Sequence, residues 1–126
     1  MTKYLLDTHA VLWAFQGSNE LSARAVSCID DPSIEILVSP VSAYELALEA
    51  NLGRLPLLPK DFSTLAGEAG FRVLAITATH FELAGKLPLI NRDPWDRLLS
   101  AQAITEGMPW ISRDTRIAGL GAQIIW

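Results

Sequence analysis

At 126 residues, half of them hydrophobic, the chain is long enough to bury one core, and no apolar run approaches the ~18 to 20 residues of a membrane-spanning helix. A net charge of −4 and an isoelectric point near 5.0 exclude a protein that holds nucleic acid by broad electrostatics, but leave room for a local basic site. A lone Cys28 makes no internal disulfide, no Cys/His spacing suggests zinc, and the first residues carry no secretory leader, so a single cytoplasmic domain over residues 1–126 is expected.

Lys3 to Leu6 is an apolar run too short for a helix and predicts a strand buried on both faces, ended by Asp7. Thr8 to Phe15 predicts a helix broken by Gly17, Ser18 and Asn19. A second helix is predicted over Glu20 to Ile29, where Leu21, Ala25 and Cys28 or Ile29 recur at helical spacing; Asp30, Asp31 and Pro32 then turn the chain. The β-branched run Ile34 to Val38 predicts the second strand. A helix is predicted from about Ser42 to Asn51, with Ser42 and Glu45 as its capping box and Gly53 as its stop. Leu55 to Pro59 reads as a rigid apolar connector, Asp61 to Ala69 as a helix, and Phe71 to Ile76 as the third strand. Thr77 to Lys86 predicts a helix with an exposed His80.

Asn91 to Ala103 (NRDPWDRLLSAQA) predicts a buried helix, because its later turns are almost entirely Leu, Ala, Gln and Ser. Asp93 fits the N-cap, Pro94 the N1 position where a missing N–H costs nothing, and Asp96 the N3 position near the positive end of the helix dipole. Gly107 ends the turn, Pro109 to Ser112 predicts a fourth strand followed by Arg113 and Asp114, and Ala122 to Trp126 a fifth.

Strands alternating with helices predict an α/β fold whose mainly parallel sheet carries helices on both faces. Chemistry in such a sheet collects beyond the carboxyl ends of the strands. Asp7 ends the first strand, Asp114 follows the fourth, Glu45 lies early in the helix leaving the second, and Asp96 opens the helix that returns to the fourth. Each acid has a local explanation, but four carboxylates on one rim repel one another unless a cation neutralises them. With neither His nor Cys in the set, that cation is a hard one, Mg²⁺ or Mn²⁺, and such a site suits phosphodiester hydrolysis. No P-loop, dinucleotide-binding fingerprint or nucleophile elbow offers a rival chemistry. Of ten Lys and Arg, Arg92, Arg97, Arg113 and Arg116 flank the last two acids and are candidates for phosphate contacts. Trp13, Phe15 and the apolar stretch from Leu46 to Leu58 exceed what one sheet face needs, which predicts a partner surface.

The segments LLDTHAVLW at 5–13, SAYELALEANLGRLPL at 42–57, NRDPWDRLLSAQA at 91–103 and ISRD at 111–114 together resemble a PIN-domain ribonuclease of the VapC toxin type, in order and spacing along the whole chain. The resemblance implies a three-layer α/β/α domain and Mg²⁺- or Mn²⁺-dependent cleavage of RNA. It also implies a homodimer restrained by a small antitoxin. By position it makes Asp7, Glu45, Asp96 and Asp114 the catalytic and metal-holding acids, with Thr8 and Ser112 beside them in support. Asn91 stands where related sequences often have His, and Glu49 where many have Lys. Two other functions remain open from the residues: a catalytically silent protein-binding module, and a metal-dependent DNA nuclease or phosphatase.

Overall fold

The computed structural model describes residues 2–126. Five strands, β1 (Thr2–Leu6), β2 (Ile34–Val38), β3 (Arg72–Val73), β4 (Trp110–Ile111) and β5 (Ile124–Ile125), form one sheet in the order β3-β2-β1-β4-β5. Every neighbouring pair is parallel. β1 is central, with Leu5 opposite both Leu37 and Trp110, and Leu6 opposite Ile111.

Because side chains alternate along a strand, each strand splits its residues between two cores. Leu6, Ile36, Val38 and Ile111 face α1 (Thr8–Gln16), α2 (Ala23–Asp30) and α4 (Phe62–Glu68), which add Ala10, Val11, Ala25 and Ala66. Leu5, Leu37 and Trp110 face α6 (Pro94–Glu106) and a 3₁₀ helix (Thr115–Leu120), which add Leu99, Ala103 and Ile117. α5 (Ala78–Lys86) lies against α6, with Ala84, Leu87, Ala101 and Leu120 in a third cluster. α3 (Pro40–Asn51) touches both α1 and α6 at the edge where β2 ends. The result is the expected α/β/α sandwich. Among the described residues no helix is long and apolar enough to cross a membrane.

The differences from expectation have local causes. Pro40 at N1 and Ser39 as N-cap start α3 three residues earlier than the S-x-x-E pattern suggests, so Ser42 and Glu45 do not form a capping box. Ser22 caps α2 and leaves Glu20 and Leu21 outside it. β3 keeps only two residues of the apolar run from Phe71 to Ile76, although Phe71 packs into one core and Leu74 and Ile76 against the other. His80 is not exposed but 1% accessible. Its Nδ1 accepts from the Thr77 N–H at 3.0 Å and its Nε2 meets Glu106 Oε1 at 3.1 Å, so α5 is capped and tied to α6 through one ring. The 3₁₀ helix had no signal beyond the Asp114 side chain that caps it.

Candidate active site

The acids come together because short polar contacts fasten the elements that carry them. Asp7 ends β1 and stands as N-cap of α1 without capping it, which frees its carboxylate for other partners. Next to it, the buried Thr8 Oγ1 and Ser42 Oγ lie 2.9 Å apart and lash the start of α1 to the first turn of α3. Glu45 follows one turn after Ser42 and is thereby brought to the same rim. At the end of β4, the buried Ser112 hydroxyl donates to Asp7 Oδ2 at 3.2 Å and accepts from the Asp114 N–H at 3.1 Å.

α6 is set against this edge by its small residues. Ser100 and Ala103, on the same face as Asp96, are 0% and 1% exposed and allow close approach to the sheet. The buried Gln102 accepts from the Ser39 hydroxyl and donates to the Leu74 carbonyl at 3.3 Å, pinning α6 to the end of β2. Asp93 caps the helix as expected, its Oδ1 accepting from Trp95 N–H at 2.9 Å and Asp96 N–H at 3.2 Å. Asp96 instead points its Oδ2 to Asn91 Nδ2, 3.1 Å away, while Asn91 Oδ1 accepts from the Asp93 N–H at 2.8 Å. No role for Asn91 is legible in the residues alone; its position five residues before Asp96, at the mouth of a capped helix, is the available signal.

Electrostatics separate the four acids. Burial, then the charges of Asp96 and Glu45, push the Asp7 carboxyl up to about 7. Glu45 is raised first by burial, then by Asp93, Asp96 and Glu49, with the Thr8 hydroxyl opposing. Asp96 is raised by burial and by Asp93 and Asp114, with Asn91 opposing. Asp114 goes the other way. Arg116 donates from Nε to Oδ1 and from Nη2 to Oδ2, both at 2.9 Å, and holds that carboxyl below the usual range.

Three shallow clefts meet here: one of about 360 Å³ at Asp7, Trp13 and Asp114; one of about 390 Å³ at Asn91, Arg92 and Asp96; and one of about 330 Å³ at Thr8, Glu45 and Glu49. Arg116 lines the first two and His9 the first and third. Arg92 and Arg113 also line clefts. Arg97 does not. It is 8% exposed, and its guanidinium donates to the carbonyls of Leu87, Pro88 and Asn91 at 2.8, 2.7 and 2.8 Å. Its charge faces inward because those loop carbonyls lie over the first turns of α6, so it holds the loop bearing Asn91 and is unavailable to phosphate.

A sheet of this order with acids at its carboxyl edge defines a protein class, and the PIN domain matches residues 4–122; the chain belongs to that family. It is 34% identical over 119 residues to Ribonuclease VapC22 of Mycobacterium tuberculosis, covering 93% of this chain and 91% of that protein. Among solved structures, VapBC2 from Rickettsia felis bound to a promoter DNA fragment aligns with a TM-score of 0.69 at 14% identity, over 98% of each chain. VapC20 of Mycobacterium tuberculosis, described as a Sarcin-Ricin loop cleaving toxin, aligns with a TM-score of 0.60 at 18% identity, over 94% of this chain and 95% of that one. At such identities the structural likeness speaks to fold.

Proposed function

We propose that the chain is a metal-dependent endoribonuclease, the toxin of a toxin–antitoxin pair. The observation that carries this reading is the set Asp7, Glu45 and Asp96: three carboxylates from remote segments, each pushed toward its neutral form by burial and by its acidic neighbours. Structures keep such mutual repulsion where a function uses it. The kinship with a ribonuclease supplies the substrate.

The donor set fits Mg²⁺ or Mn²⁺, being all carboxylate oxygen. Among the described residues no three acidic, His or Cys side chains are already gathered into a cage for an ion, so Asp7, Glu45 and Asp96 would draw together to hold one. Asp114 would join them only on release from Arg116. Such an ion, when bound, lowers the pKa of an attacking water and neutralises charge on the scissile phosphate. The chain's own residues do the rest. Ser112 and Asn91 orient Asp7 and Asp96 through single hydrogen bonds, leaving their other oxygens free of those partners. Arg92, Arg113 and Arg116 line the surrounding clefts as contacts for the flanking phosphates.

An antitoxin would cover the apolar groove formed by Leu46, Ala47, Ala50, Leu57, Leu58 and Phe62, on the outer side of α3. Leu57 is 82% exposed there, which also suits a homodimer. The test is cleavage of RNA, single-stranded DNA and a phosphomonoester, with and without Mn²⁺, alongside Asp96→Asn. Mn²⁺-dependent cutting of RNA alone, lost in the variant, is expected. No cutting of any substrate means a binding module, and cutting of DNA or the monoester means a different hydrolase.

A further inference from the structure

The cleft beside Asp7 has a wall for which metal chemistry has no use. His9 and Trp13 lie four residues apart on α1, with ring centroids 5.7 Å apart. Trp126 backs Trp13 with a centroid separation of 6.0 Å, fixing the indole at the cleft wall. The Arg113 guanidinium sits over the Trp13 ring, 4.7 Å from its centroid. Its other tie is an ion pair with Glu20 at 3.1 Å in which both side chains are 59% exposed. Exposed ion pairs and exposed cation–π contacts are both weak, so Arg113 is easily displaced.

A fixed aromatic face, a displaceable guanidinium and an adjoining carboxylate that handles phosphodiesters are what an unpaired nucleotide needs. The face stacks a base, and the guanidinium takes a phosphate in a bidentate grip. We propose that this cleft is the subsite for one unpaired nucleobase beside the scissile phosphodiester. The base stacks on the Trp13 face that Arg113 now covers, and Arg113 leaves Glu20 for the neighbouring phosphate. This rests on the ribonuclease reading. The site selects single-stranded segments and tolerates all four bases, because every base offers a π face.

The test uses the full chain carrying Asp96→Asn, so that strands stay intact, with Mn²⁺ present. The probes are a mixed-sequence 12-nucleotide single-stranded RNA and the same backbone made abasic. The intact strand should bind on the order of tenfold more tightly than the abasic one. Trp13→Ala should reduce that preference to less than about twofold, Trp13→Phe should keep most of it, and Arg113→Ala should weaken both strands alike. Should Trp13→Ala not fold, photocrosslinking of 5-iodouridine RNA to the unaltered ring decides, with adducts expected on Trp13. Equal binding of both strands, a preference that survives Trp13→Ala, or adducts lying elsewhere overturns the base subsite. A preference that depends on Trp13 in a parent protein that leaves RNA uncut keeps the subsite and sinks the hydrolytic reading.

Discussion

Asp7 and Asp114 stand at the ends of neighbouring parallel strands and share one serine, yet their carboxyls are driven in opposite directions. Ser112 donates to the first and accepts from the backbone of the second. Asp7 faces acids and is pushed up to about 7, whereas Asp114 is clasped by Arg116 and held down. Position at a strand end brings an acid to the rim. What shares its pocket decides whether its charge is disfavoured, and so open to stabilisation by a cation, or already paired.

The sharpest way to break this contrast is on α6, where two acids three residues apart are assigned different work. Asp96→Asn should lower the RNA cleavage rate on the order of 10² to 10⁴-fold, since a metal ligand is worth several kcal/mol in the transition state at about 1.4 kcal/mol per tenfold. Asp93→Asn keeps a capping oxygen and should leave the rate nearly unchanged, while Asp93→Ala should cost about 1 kcal/mol of stability. Rates measured under saturating Mn²⁺ that fall for Asp93→Asn and not for Asp96→Asn would show that the wrong carboxylate has been placed in the site.

Arg97 marks the boundary between structural and functional cations. Arg97→Leu strips three loop carbonyls of a charged donor and should cost on the order of 3 kcal/mol in urea unfolding. Arg92→Ala, at an exposed position lining the Asp96 cleft, should leave the unfolding midpoint unchanged and weaken RNA binding. A stable Arg97→Leu protein would contradict the account of the loop.

The raised acids also set a pH dependence. The folded protein holds the Asp7 proton more tightly than the unfolded chain, so this contribution is full below the ordinary carboxylate range and is lost as pH rises to about 7. Glu45 and Asp96 act with the same sign. Asp31, Asp61 and Asp114 are lowered and act oppositely, losing their contribution only as pH falls below the ordinary carboxylate range. Metal-free melting temperature should therefore fall by on the order of 5 °C between pH 5 and pH 8, and Asp7→Asn should flatten the curve. A parent protein whose metal-free melting is level over that range removes the shared repulsion. The smallest effect belongs to Arg116→Ala, which should let the Asp114 carboxyl rise toward its ordinary range in a carbon-detected NMR titration, with little change in melting.

Strand ends and helix caps were legible because they depend on neighbours in the chain. Pro94 after Asp93 announced α6, and Asp7 closing an apolar run announced the end of β1. Residues whose roles are set by distant partners were not. Arg97 follows Asp96 and looks like a solvent-facing cation in sequence, but it meets the carbonyls of Leu87, Pro88 and Asn91. His80 carries nothing in its own helix to say that α6 covers it and Glu106 waits there. Ser42 had a complete local explanation as a cap, and the proline two residues before it displaced that role to a contact with Thr8.

The hydrogen bond between Ser112 and Asp7 spans 105 positions of chain, and β1 cannot pair with β4 until that length has been made. During synthesis, β1, β2 and their helices can assemble while the other half of the sheet is still missing, since domains form from the N-terminal side as the chain emerges. Asp7 and Glu45 are then present without Asp96 or Ser112. The rim of acids is therefore incomplete until α6 and β4 have docked onto that first half.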